Sequence, residues 1–395
     1  MAAADPRWGV IDADAIAEAR QLIGVPLRRD RMRWNDTATR DGIRQFAAGV
    51  GDDNPLWLDP SYASETRWGE IIAPPSFLYA IDATIVAPKL PGVQWIYAGT
   101  RWRWYDVIRV DDEVQVEARL TEIEEKAGKR FGPWVLQKGE IVFSRNDGGL
   151  ICLAEGRVAR TPRQRRKDAS EKSVTQKGEK AAEARKIDAP DVRHEQRRGR
   201  TPRNWEDVTV GERLGPKAIT LDLDQIYRWY MGAQGALHYG GAHGDGVRYR
   251  RRHDDYEINR QTGAKDSAAR GHFSSKEGKD VGMGGAYDVG LQRIGWVIAF
   301  LTDWMGNDAH LAETDVDVLA PNLIGDTTSF SGAITAKWID ENAFVALSIE
   351  GRNQKGVLTT RGSAIVALPS GQGPVALPLF GGDRLRWTSA PNVAH

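Results

Sequence analysis

The chain has 395 residues, 41% hydrophobic and 27% charged, with 54 Lys and Arg against 54 Asp and Glu. That balance excludes a global field favouring nucleic acid or anionic membranes, and no window approaches the eighteen or more apolar residues of a membrane span. The start, MAAADPRWGVIDADAIAEARQ, has neither a basic n-region nor an apolar h-region, so no export signal is expected; with Cys152 as the one cysteine, no intrachain disulfide can form, which suits a reducing cytoplasm.

At about 150 residues per domain, the length predicts two domains. In chain order, RDGIRQFAAGVGDDNPLWLDPSYA reads as a short helix entering a glycine turn at Gly51. APPSFLYAIDATIVAP (Ala73 to Pro88) is apolar on all sides, the pattern of a helix buried in the fold. In WRWYDVIRVDDEVQVEARLTEI, the alternation at Val114, Val116 and Ala118 predicts a half-buried antiparallel strand. From about Arg160 to Arg203 large apolar residues almost vanish while basic and acidic residues interleave, the composition of a solvated connector.

The landmarks then repeat. LDLDQIYRWYMGAQGALH sets Asp222 ten residues before Gly232, as Asp41 lies ten before Gly51, with Tyr227 and Phe46 each five before the glycine. YDVGLQRIGWVIAFLTDW (Tyr287 to Trp304) is a second all-round apolar segment, and TDVDVLAPNLIGDTTSFSGAIT is again strand-like around a polar turn. The expected fold is α+β in two domains, 1–160 and 204–395 joined by a charged linker over 161–203, each an antiparallel sheet wrapped around a central helix.

GDDNPLWLDPSYA resembles the signature of the MaoC-like hydratases and dehydratases, G-D-x-N-P-[IL]-H-x-D-P-x-x-A followed by A-H-G at the start of the central helix. Gly51, Asp52, Asn54, Pro55, Leu56, Asp59, Pro60 and Ala63 match, but Trp57 stands at the His position. The resemblance implies two tandem hotdog domains, with the front one unable to transfer a proton and therefore degenerate. In the back half Ala233 and Gly235 replace the Asp and Asn, and the register is carried by spacing. Trp57 lies 55 residues before Asp112 (112 − 57) and His272 lies 54 before Asp326 (326 − 272). Gly51 to Trp57 spans six residues and Gly232 to His272 spans 40, so the back half carries an insertion of 34 (40 − 6), over about 233–271.

His272 then takes the catalytic His position and Gly290 that of the helix-start glycine, with the family's separation of eighteen residues preserved (290 − 272). The implied activity is hydration or dehydration of an acyl thioester of the enoyl-CoA or 3-hydroxyacyl-CoA type. An imidazole suits the proton transfers, since it titrates near neutral pH. The amide at a helix N-terminus suits the developing negative charge on the thioester oxygen, and a glycine there permits close approach. The position five before the His is Ser267, which leaves Asp266, His243 and His238 as candidates for the second proton carrier. Tyr287, Asp288 and Arg293 flank the helix start as candidate substrate-binding residues, and for Asp288 a helix cap is the favoured role over substrate contact.

No cofactor and no metal are expected: His238, His243 and Asp245 could converge on a metal, but there is no H-E-x-x-H and no Cys cluster. RYRRRHDDYE (Arg248 to Glu257) could grip the phosphates of coenzyme A, or be a self-neutralising surface segment. The expected partners are an acyl-CoA or acyl-carrier thioester and a second copy in a homodimer, with no nucleic acid and no membrane. Two rival readings keep the fold: a hotdog acyl-CoA thioesterase, and a non-catalytic acyl-binding or partner subunit of a heteromeric dehydratase.

Overall fold

Alternating strands build most of the molecule. The computed structural model describes residues 9–27, 35–128, 132–163, 197–233, 244, 247–248, 251, 262–264 and 269–382. The front half supplies β1 (Pro26–Leu27), β2 (Gln94–Trp104), β3 (Val114–Gly128), β4 (Gly132–Arg145) and β5 (Leu150–Thr161). The back half supplies β6 (Arg213–Thr220), β7 (His310–Val318), β8 (Thr327–Ile339), β9 (Ala343–Asn353) and β10 (Leu358–Leu368). The helices are α1 (Ala13–Arg20), α2 (Arg40–Val50), α3 (Pro55–Leu58), α4 (Pro60–Ser64), α5 (Leu223–Arg228), α6 (Arg270–Phe273), α7 (Ser275–Asp280) and α8 (Gly290–Met305). No helix among the described residues is long and apolar enough to cross a membrane.

The ten strands form one sheet in the order β1-β3-β4-β5-β2-β7-β10-β9-β8-β6. Outward from the β2–β7 junction the two halves run in the same order, so each is one copy of a five-stranded antiparallel unit. Val114 and Ala118 turn inward on β3 while Gln115 and Glu117 face out, as their alternation predicts. At the seam, β2 pairs with β7 from Gly99↔Asp317 to Arg103↔Glu313. Charge reinforces it: the fully buried Arg103 donates from Nε to Glu313 Oε1 at 2.7 Å, and Arg157 reaches Asp315 at 2.7 Å and Asp317 at 3.1 Å.

Inside the curved sheet lies α8, buried at every residue from Leu291 to Met305, as a helix apolar on all sides must be. The front half departs from expectation. Ala73 to Pro88 forms a 3₁₀ turn over Pro75–Ala80 and then irregular chain, where the sequence pattern predicts a long buried helix. Two causes are visible. Asp82 accepts the Thr84 N–H in a local turn at 2.8 Å, with Thr84 at φ 54°, which ends the coil. The segment also lies flat on the sheet, against the paired glycines Gly139 of β4 and Gly156 of β5. A Cβ on Gly156 would stand 1.8 Å from the Thr84 carbonyl oxygen, and one on Gly139 would stand 2.2 Å from Val86 Cβ. Extended chain in direct contact with the sheet leaves no room for a helix, whose axis needs about 10 Å.

Arg197, at the end of the stretch read as a connector, is anchored. It donates to Asp303 Oδ1 on α8 at 2.8 Å, and pairs with Asp53 in the front half. Lys217 on β6 takes the other Asp303 oxygen at 2.6 Å.

Candidate active site

The matched front residues form a chain of helix caps. Gly51 ends α2 in the left-handed region at φ 79°; Asn54 Oδ1 accepts the Leu56 N–H at 3.1 Å, and Asp59 Oδ1 accepts those of Ser61 and Tyr62. Pro55 and Pro60 fill first-turn positions, where no amide hydrogen is needed. Asp52 is buried and accepts the Trp57 indole N–H at 3.0 Å. Burial, with the nearby Asp303 carboxylate second, raises its pKa to about 6, against the opposing pull of Lys217 and Arg197. An acid with a raised pKa remains in the front half, but its partner is an indole that carries no exchangeable base.

Matching backbone contacts fix the register between the halves. Asp112 Oδ2 accepts the Arg109 N–H at 2.8 Å, and Asp326 Oδ2 accepts the Leu323 N–H at 2.9 Å, the same turn three residues back. Ile72 bridges Arg109 and Tyr287 bridges Leu323. Counting three residues on from each bridge makes Pro75 the counterpart of Gly290. Counting eighteen back then makes Trp57 the counterpart of His272.

His272 sits on α6, half-buried, with Nδ1 2.9 Å from the Tyr287 carbonyl oxygen. A carbonyl can only accept, so Nδ1 carries the hydrogen and Nε2 presents its lone pair. Nε2 has no partner among the described residues. Burial pushes the pKa of the imidazole below that of a free histidine, with the Tyr287 carbonyl and Asp288 opposing. The ring is walled by Tyr287, centroids 4.2 Å apart, and Tyr230 at 6.1 Å, with Phe273 tilted against Tyr230. A neutral imidazole with one open nitrogen is therefore held, through Tyr287, three residues ahead of the first residue of α8.

That helix start is uncapped: Val289 precedes it with no side-chain hydrogen bond. The expectation that Asp288 caps it is corrected by the geometry. Asp288 and Arg293, both buried, form a bidentate pair with two contacts of 2.6 Å. Arg293 Nη1 also donates to the carbonyls of Ala320 and Thr359, each at 2.7 Å, while Asp288 Oδ1 accepts the Asn322 N–H at 3.1 Å. Their polar atoms are spent on holding the helix start against the β7–β8 loop and β10, which makes them positioning residues.

Comparison with known proteins bears on the fold. A family described as FAS1-like, dehydratase domain region, matches residues 21–153. A MaoC-like dehydratase of known structure superposes with a TM-score of 0.60 at 15% identity, covering 88% of this chain and 98% of its own, and so shares the fold. The chain has the fold of that MaoC-like protein. A UPF0336 protein of Streptomyces avermitilis is 29% identical over 96 residues, 22% of this chain and 64% of the relative. The (R)-specific enoyl-CoA hydratase of Aeromonas caviae is 32% identical over 83 residues, 21% and 62% respectively. Both matches thus span under two thirds of the relative's own length.

Asp266, His243 and His238 lie outside the described residues, as does Asp245; among the described residues no cluster of three or more His, Cys, Asp or Glu could hold a metal. Sequence reasoning missed Tyr97. Its ring lies on Gly290, where a Cβ would stand 2.9 Å from Tyr97 Cδ1. The glycine is therefore required by an aromatic ring from the other half of the protein. Tyr97 is itself pinned, its hydroxyl bonded to Thr84 Oγ1 at 2.8 Å, to Tyr79 at 3.0 Å and to Thr100. No periodicity signals this contact, because it joins β2 of one half to α8 of the other.

Proposed function

We propose that the chain is a hydratase or dehydratase of acyl thioesters of the enoyl-CoA or 3-hydroxyacyl-CoA type. Its single site lies in the back half, and the front half serves as scaffold. The observation that carries this is the His272 imidazole, bonded through Nδ1 to the Tyr287 carbonyl beside the uncapped start of α8. In hydration, Nε2 takes a proton from water as the water oxygen bonds to Cβ of the double bond, and the Gly290 amide meets the negative charge that develops on the thioester oxygen. Delivery of a proton to Cα completes addition; Asp266, His243 and His238 are the candidates for that step. The likeness to an (R)-specific enoyl-CoA hydratase supports the reaction class. Retention of the Asp52–Trp57 hydrogen bond without a base supports a front half that keeps the shape of a site and not its chemistry.

The test is His272→Gln with a panel of enoyl-CoA substrates, following loss of enoyl absorbance and release of free thiol in parallel. Loss of general acid–base catalysis lowers kcat/KM by about 10²- to 10⁴-fold. Thiol release with the enoyl absorbance intact would replace the reading with a thioesterase. Unchanged hydration in the variant would remove His272 from the mechanism.

A further inference from the structure

At the far end of α8 from His272 lies a cleft of ≈ 480 Å³, including the solvent at its mouth, lined by Asn54, Trp57, Trp68, Trp104, Met305 and His310 among others. The separation along the helix, from Gly290 to Met305, is about 22 Å at 1.5 Å per residue. Three indoles form much of its wall, and each spends its N–H within the protein: Trp57 on Asp52 at 3.0 Å, Trp68 on the Asn307 carbonyl at 2.8 Å and Trp104 on the Pro75 carbonyl at 3.1 Å. They present ring faces and edges only.

Two polar groups on this wall are more than nine-tenths buried and remain open. Asn54 Oδ1 is taken by the Leu56 N–H, which fixes the orientation of the amide and makes Nδ2 a donor with no partner among the described residues. His310 Nε2 lies 3.2 Å from the Trp104 carbonyl and must donate to it, which leaves Nδ1 an acceptor with no partner among the described residues. Neither atom is sealed from solvent, so both face the open cleft, where a ligand group can take the place of the water that meets them. Charge at the cleft restricts the choice. Asp106 is paired with Arg145 at 3.0 Å, and the carboxyl end of α8 presents the negative pole of the helix at Met305. Among the described residues no Lys or Arg lines the cleft, so an anion would find no counter-charge on its wall, in contrast to what a coenzyme A thioester needs.

We propose that this cleft is a second binding site, for an uncharged apolar molecule bearing a hydroxyl, a phenol or alcohol whose O–H donates to His310 Nδ1 and whose oxygen accepts from Asn54 Nδ2. The indoles of Trp57, Trp68 and Trp104 hold its apolar body. Trp57 thereby has a positive role: the residue that removes proton transfer from the front half builds the wall of a binding site.

The experiment is titration of the full chain with 4-ethylphenol and 4-ethylbenzoate at pH 7.5, by calorimetry and ligand-observed NMR. The phenol binds saturably at one site per chain, and the benzoate binds at least fivefold more weakly. His310→Phe weakens the phenol about fivefold or more, the loss of one hydrogen bond. Asn54→Asp keeps the helix cap, replaces the donor with a carboxylate, and weakens it likewise; this variant decides the matter if His310→Phe does not fold. His272→Gln binds the phenol as the parent does, so the site stands or falls separately from the proposed reaction. No saturable phenol binding, equal binding of the benzoate, or affinity unchanged in the folded variants would overturn the proposal.

Discussion

Replacing Arg293 by Met tests whether the start of α8 is held by the buried Asp288–Arg293 pair. The substitution keeps an unbranched chain of similar length and removes four contacts of 2.6–2.7 Å, two to Asp288 and one each to the Ala320 and Thr359 carbonyls. Both side chains are 1% exposed, so Asp288 is left as a buried charge that water cannot reach. Breaking such a pair from one side costs about 3–5 kcal/mol, whereas replacing both members by apolar residues costs much less. Asp288→Leu alone strands the guanidinium and is comparably destabilising. The double variant Asp288→Leu/Arg293→Met therefore falls short of the sum of the singles by about 3 kcal/mol or more. Urea unfolding of the four proteins, comparing midpoints and slopes, gives the cycle. A single variant within about 1 kcal/mol of the parent, or additive singles, would show that the pair does not anchor this helix.

Gly290→Ala places a methyl group 2.9 Å from Tyr97 Cδ1, against a ring pinned by three hydroxyl contacts, and overpacking of this kind costs about 1–3 kcal/mol; thermal melts of Gly290→Ala with and without Tyr97→Ala check it, the second change relieving the first. Burial first, with Arg67 assisting and the Trp104 carbonyl and Asp106 opposing, depresses the His310 pKa to about 4. The unfolded chain binds this proton near 6.5 and the folded chain does not, so stability is present above pH 6.5 and lost as pH falls towards 4, by about 3 kcal/mol. Relative to His310→Phe, the parent therefore loses stability across that window in urea titrations at stepped pH; a constant difference would contradict it.

The parts of the fold legible in the sequence are those set by local pattern. Val114, Val116 and Ala118 alternate because one face of β3 is covered, and the run after Gly290 is apolar on every side because α8 lies within the sheet. The correspondence of Asp112 and Asp326 was legible too, since each closes the same turn three residues back. Contacts that exist only after distant segments of the chain pack together left no such trace. Ala73–Pro88 has the composition of a buried helix, and what forbids one is Gly139 beside Gly156, more than fifty residues away and adjacent only through β4–β5 pairing. Asp288 reads as a cap from its place before α8, and only the approach of Arg293, Asn322 and the Thr359 carbonyl turns it into half of a clamp.

The β2–β7 junction has a consequence for how substitutions act. Where two identical chains associate, every replacement is written twice, and any change that harms one site harms both. Here the facing units are separate stretches of one polypeptide, always present in equal number and at a fixed, high local concentration. The tryptophan at position 57 is therefore borne by one unit alone, and the other unit need not carry its like.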